Sequence, residues 1–162
     1  MKKIYNLGST LFVVALIAMA VAACNTMPVG FLRTEGASFS PDTLNVYHNP
    51  HASTPRYADH LPWVSYRIQG VAGTNPINFE LSDVKATEGG DAEKFKALAQ
   101  KGLLKVDGGM IVLMQEGVAE LPTSGRYTLS LRVYNEGHSQ IINDAYTIIV
   151  GQDEPEPEQQ NP

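Results

Sequence analysis

Tyr127, Leu129, Leu131 and Val133 alternate without a break against Thr128, Ser130, Arg132 and Tyr134. A period of two sends successive side chains to opposite faces, so this stretch fits a strand with one face on a core and one toward solvent. The pattern recurs. Leu44 and Val46 alternate with Thr43, Asn45 and Tyr47; Val64, Tyr66 and Ile68 with Trp63, Ser65, Arg67 and Gln69; Ile77, Phe79 and Leu81 with Asn78, Glu80 and Ser82. Leu103–Val106, Met110–Met114 and Ala145–Val150 are shorter strand candidates, set apart by Asp107-Gly108-Gly109 and the Glu136-Gly137 region. Seven such segments predict an all-β fold, a seven-strand antiparallel β-sandwich. One stretch has the helical period instead. Asp91 is placed to cap it, Gly102 to stop it, and Phe95, Leu98 and Ala99 share one face. A short inserted helix over 91–101 should therefore cap one end, with Phe95 and Leu98 in the core.

The two ends of the chain differ from this middle. Lys2 and Lys3 lead an apolar run, Leu11–Val21, which closes on Val21-Ala22-Ala23-Cys24. A positive leader, a short apolar segment and small residues make a secretory signal, too short and wrongly flanked for a spanning helix. Asn25–Gly36 has no periodicity and carries Pro28, Gly30 and Gly36, which reads as a tether. Gly151–Pro162 is acidic, rich in Pro and Gln, without an apolar side chain, and is expected to be disordered. The division is thus signal peptide 1–23, tether 24–36, sandwich 37–150 and tail 151–162.

Removing residues 1–23 leaves ten Lys and Arg against 17 Asp and Glu, a net charge of −7. Four of those acids, Asp153, Glu154, Glu156 and Glu158, lie in the last ten residues. A nucleic-acid surface would need clustered Lys and Arg, and an anionic-membrane patch would too, so neither is expected. Cys24 is the only cysteine. No disulfide is open to the exported domain, which must be held by its hydrophobic core.

Val21-Ala22-Ala23-Cys24 resembles the lipobox of bacterial lipoproteins. That resemblance implies a lipidated Cys24 as the mature N-terminus and attachment to a membrane through lipid. The order of strands resembles a cadherin-like repeat. Gly73–Leu81 is similar to that family's third-strand entry, Phe95 with Leu104–Ile111 to its phenylalanine, turn, glycine and isoleucine stretch, Gly125–Gly137 to the Tyr-x-Leu-x-Val strand, and Asp144–Val150 to the closing strand. The match spans about 37–150, and other immunoglobulin-like sandwiches share these features. Calcium needs six to eight oxygens, mainly carboxylates. Here Ile68-Gln69-Gly70-Val71 and Asn135 stand where calcium-binding cadherins carry acids. The resemblance therefore implies the shape without calcium. Lipobox, sandwich and acidic tail together look like the small sandwich lipoproteins of Bacteroidetes, including modules of glycan-capture systems.

Few residues suggest chemistry. His48, His51 and His60, with Asp59, are suitable zinc or copper ligands, but Pro50 and Pro55 predict an extended loop that does not gather them. The reading is a polar loop without metal or other cofactor; His138 lies in a distant turn. No Gly-x-Ser-x-Gly, His-Glu-x-x-His or phosphate-binding loop is present, and Glu80, Asp83, Glu88 and Asp91 read as solubilising. No enzyme is expected. Aromatic rings with polar edges suit sugar stacking or protein contact, which makes Trp63, Tyr57, Tyr66, Tyr134 and Tyr47 candidates, with Arg67 and Arg132 in support. Trp63 has a competing role as a ring sealing the sandwich end. Asp42-Thr43-Leu44 resembles the O-glycosylation motif of Bacteroidetes, with Thr43 as acceptor.

The sequence reading is a lipid-anchored, non-catalytic envelope module that binds protein in an outer-membrane assembly; the alternative is glycan capture by exposed aromatics. Asn25 after Cys24 is not an inner-membrane retention Asp, and Glu35 is the first acid beyond it, so no acidic surface-export cluster follows the cysteine. An outer-membrane protein facing the periplasm is expected.

Overall fold

The structure, a computed structural model, describes residue 12 and residues 30–157. Cys24, the leader and the end of the tail lie outside the described residues. Along the chain come β1 (Leu32–Arg33), β2 (Thr43–Asn49), α1 (Pro55–Asp59), β3 (Trp63–Val64), β4 (Ala72–Gly73), β5 (Asn78–Thr87), α2 (Ala92–Gln100), β6 (Leu104–Asp107), β7 (Met110–Leu113), α3 (Gln115–Ala119), β8 (Gly125–Tyr134) and β9 (Ser139–Asp153). One sheet has the order β2-β9-β8-β5, a second β3-β7-β6, and β1 pairs with β4. Side chains from both larger sheets and from α2 enter one core, among them Val46, Trp63, Val84, Phe95, Ile111, Leu129 and Ile148. The fold is all-β and sandwich-like, with three short helices among the described residues.

β8 explains the arrangement best. Tyr127, Leu129, Leu131 and Val133 are fully buried, as their alternation predicts. Ser130 is buried as well. The β8–β9 register shifts beside it, Asp144 takes a left-handed φ of +49°, and its N–H donates to Ser130 Oγ at 3.1 Å. The shift supplies the partner that a buried hydroxyl needs. A second shift between Leu81 and Asp83 moves the inward phase of β5 from Phe79 and Leu81 to Val84 and Ala86. That change of phase hid the far half of β5 from a strict period-two reading.

The predicted helix forms as α2. Asp91 Oδ1 accepts from Lys94 N–H at 3.0 Å, and Gly102 at φ +73° lets Leu103 N–H reach Leu98 O at 2.9 Å. Phe95 and Leu98 are fully buried, and Phe95 stacks on Tyr127 with ring centroids 4.5 Å apart. Tyr127 Oη accepts the Asp91 N–H at 3.1 Å, so the helix start is fastened to β8.

Four expectations require correction. β2 runs parallel to β9, so the sandwich is not antiparallel throughout. The folded region begins before residue 37: β1 lies inside the expected tether, where Leu32 is buried and pairs with Gly73. It also ends later, because β9 continues to Asp153, and Gly151 and Asp153, inside the expected tail, pair with Tyr47 and Asn49 of β2. The phase of 63–66 is inverted as well, with Trp63 and Ser65 inward and Val64 and Tyr66 outward.

Tyr146 is buried against Phe39, ring centroids 4.6 Å apart. Burial, with a smaller contribution from the Asp42 charge, pushes its phenol up to about 12. Its folded value thus exceeds the unfolded value near 10, so the contribution to stability is complete below pH 10 and is lost as pH rises toward 12. The loss should be about 2–3 kcal/mol. Denaturant titrations of the wild type and Tyr146→Phe across pH 9–12 should show a shallower decline in the variant; identical slopes would assign the alkaline loss elsewhere.

Candidate functional site

Asn49 ends β2, and the segment after it folds back over the sheet end instead of running extended. Pro50 and Pro55 predict an extended loop, but Pro55 opens α1, since Pro fits a first helical turn, where its missing N–H has no intrahelical partner. Thr54 precedes α1 in extended conformation and its hydroxyl donates to His51 O at 2.7 Å. His60, at φ +51°, ends the turn.

α1 delivers Arg56 onto Trp63. The guanidinium carbon lies 3.7 Å from the centroid of the Trp63 ring, and Arg56 Nη1 donates to Glu154 Oε1 at 2.8 Å. Glu154 is itself fixed, since its N–H donates to Asn49 O at 3.0 Å and its Oε2 accepts from His51 N–H at 3.0 Å. Asn49 Nδ2 adds a bond to Asp153 Oδ1 at 2.7 Å. Gln115 Nε2 donates to the Arg56 and Leu61 carbonyls at 2.8 and 3.0 Å, joining α3 to the same corner. Tyr47 stands beside Trp63 at 5.7 Å. Tyr47, Arg56, Trp63, Glu154, Pro155 and Pro157 line an open cleft of about 610 Å³.

Trp63 is 2% exposed. Its ring is packed at the sandwich end under Arg56, with only a small edge left to the cleft. Partly desolvated cation–π contacts contribute about 1–2 kcal/mol, so its cover by Arg56 stabilises this corner. Sequence reasoning missed Arg56 and Glu154, because an ion pair between a loop and a tail leaves no periodicity to read.

The other candidates do not converge. Tyr57 and Tyr66 are well exposed, and Arg67 is exposed beside Gly108 in the β6–β7 turn. Tyr134 belongs to the four-stranded sheet and lies under Arg132, at 4.6 Å from its ring. Arg132 is committed, donating to Glu80 at 2.7 Å and Ser139 at 2.8 Å. Thr43 starts β2 and donates to Asp42 at 3.1 Å. His48 Nε2 meets the Pro122 carbonyl at 3.3 Å, His51 Nδ1 meets Ser53 Oγ at 2.7 Å, and His60 is exposed. Among the described residues no three His, Cys, Asp or Glu side chains gather as metal ligands. The carboxylates have local roles: Glu80 pairs with Arg132, Asp83 with Lys96, Glu88 with Arg126, and Asp91 caps α2. Lys96 beside Asp83 holds that carboxyl below its ordinary value.

A different surface stands out. Of seven strongly exposed large apolar side chains among the described residues, four (Tyr57, Leu61, Val64 and Tyr66) fall within ten positions. Val64 lies opposite Val112 on the outer face of the three-stranded sheet. Tyr66 shares the outward phase of Val64. Ser65 N–H donates to Ile111 O at 2.9 Å, but Ile111 N–H turns to Ser65 Oγ at 2.8 Å, and the regular ladder stops after Val64. Ser65→Ala would leave the buried Ile111 N–H without its acceptor, and should cost about 1–3 kcal/mol in denaturant unfolding. Stability unchanged from wild type would mean that this hydroxyl does not hold the strand.

Comparison with family models, with curated proteins and with solved structures found no match.

Proposed function

We propose that this chain is a lipid-anchored, non-catalytic module of the cell envelope that holds a protein partner against the outer face of its three-stranded sheet. The observation that carries the reading is the run of exposed apolar side chains Tyr57, Leu61, Val64 and Tyr66, in which Val64 lies on that face opposite Val112. Clustered exposed apolar side chains mark contact surfaces, and branched aliphatics beside tyrosine suit a protein better than a sugar. Glycan capture was the other reading, but its leading residue, Trp63, is under Arg56.

The fold reading is an immunoglobulin- or cadherin-like sandwich of seven principal strands. Its support is the strand order: β2 joins the β9-β8-β5 sheet, while β3, β7 and β6 form the other layer. A first strand shifted onto the sheet of the third, sixth and seventh strands is a variation on the immunoglobulin arrangement. No calcium role is proposed, for the acids it would need are missing at Gln69 and Asn135. Attachment is assigned to Cys24, at an outer membrane and facing the periplasm, on the strength of the leader, the lipobox-like sequence and Asn25.

Val64→Lys places a charge in this run without touching the core. Detergent-solubilised membranes run on a native gel should show the wild type in a complex larger than itself and Val64→Lys at its own size, with equal abundance and melting temperature. An unchanged complex would remove the run as the contact.

A further inference from the structure

The geometry points to a second interaction surface, a bilayer-facing end of the sandwich formed by β1, β4 and the β8–β9 turn, with the Phe31 ring as its contact with lipid. This inference rests on the lipidation of Cys24. Its own basis is where the tether enters the fold. Only residues 25–30 separate Cys24 from Phe31, a reach of about 25 Å when fully extended.

The entry point is held by hydrogen bonds. Phe31 N–H donates to Thr74 Oγ1 at 3.2 Å, and the Phe31 carbonyl accepts from Thr74 N–H at 3.0 Å and Asn135 Nδ2 at 2.9 Å. Gln140 Nε2 donates to Leu32 O at 3.2 Å, and Gln140 also receives the Thr34 hydroxyl. The backbone is thus bound to the β8–β9 turn, yet the Phe31 ring is 50% exposed, with the Arg33 guanidinium 6.0 Å from its centroid. An exposed aromatic beside a cation suits the boundary between headgroups and acyl chains. Arg33 is offset in the sequence here by Glu35 and Glu136, so this end carries no excess of positive charge and the contact does not depend on anionic lipid.

The remainder of the fold leads away from that end. β9, 15 residues long, starts at Ser139 beside the turn and finishes at Asp153, where Asn49, Arg56 and Glu154 meet. An extended strand of that length covers roughly 45 Å before twist and bulge shorten it. The α1 corner with Tyr57 therefore stands at the membrane-distal end, open to a partner in the aqueous compartment.

Depth-dependent quenching tests this orientation. Lipidated mature protein, with a fluorophore on Glu136→Cys or on Tyr57→Cys, is placed in phosphatidylethanolamine–phosphatidylglycerol vesicles carrying a spin label near the headgroup. The thiol of Cys24 is consumed by acylation, so each introduced cysteine is labelled alone. Quenching should be several-fold stronger at 136 than at 57, and Phe31→Ser should narrow the difference. Equal or reversed quenching in protein that intact mass shows to be acylated overturns the orientation alone. An unmodified Cys24 in the intact mass removes the anchor and the orientation together.

Discussion

Phe95→Ala should lower the unfolding free energy by about 3–5 kcal/mol, the usual cost of emptying a fully buried phenylalanine site. A domain of this size is stable by about 5–15 kcal/mol, so the variant sits near the edge of folding. Its melting temperature should fall by roughly 10–20 °C. The effect is large because Phe95 connects two parts of the molecule. It stacks on Tyr127 in β8, and the Tyr127 hydroxyl accepts the N–H of Asp91, the residue that caps α2. Removing the ring opens a cavity and loosens the helix start together. Phe95→Leu, which refills most of the volume, should lose clearly less. A loss below about 1 kcal/mol in Phe95→Ala would mean that α2 does not dock on the sheets as described.

Trp63→Ala should be comparably severe, again about 3–5 kcal/mol. The ring is 2% exposed, packs beside Tyr47 and is covered by Arg56. Trp63→Phe keeps an aromatic face for Arg56 and should lose about 1–2 kcal/mol, through reduced volume and a weaker cation–π contact. Because Trp63 is the only tryptophan, its emission reports the same environment. Native protein should emit as a buried indole and resist acrylamide quenching. A stable Trp63→Ala variant, or a native emission typical of exposed indole, would contradict the packing. Any binding lost with Trp63→Ala is then a loss of folding, which makes that substitution a poor test of a sugar site.

Strands were legible wherever one face is buried over an unbroken run. Leu129 and Leu131 needed no structural help, nor did Phe95 and Leu98 between Asp91 and Gly102. What failed did so for physical reasons. Around Trp63 and Ser65 the alternation is regular, but both phases carry large side chains, and period alone cannot say which faces the core. Packing against Tyr47 and the bond from Ile111 N–H to Ser65 Oγ decide it. The parallel pairing of β2 with β9 joins segments about a hundred residues apart, and no local pattern encodes it. Arg56 and Glu154 are likewise distant in sequence, and nothing local to either encodes their pairing. Leu32 was hidden by the glycines and proline around it, although its neighbours Phe31 and Thr74 fasten the entering chain.

The central claim is that a partner protein rests on the outer face of the three-stranded sheet. Site-specific photo-crosslinking in growing cells tests it most directly, with a photoreactive phenylalanine in place of Tyr66 or, as the comparison, of Tyr134 on the other sheet. A discrete protein adduct should form at Tyr66 and disappear when Val64→Lys is added, while Tyr134 yields none. Adducts at Tyr134 but not Tyr66, or at neither position, would contradict the account.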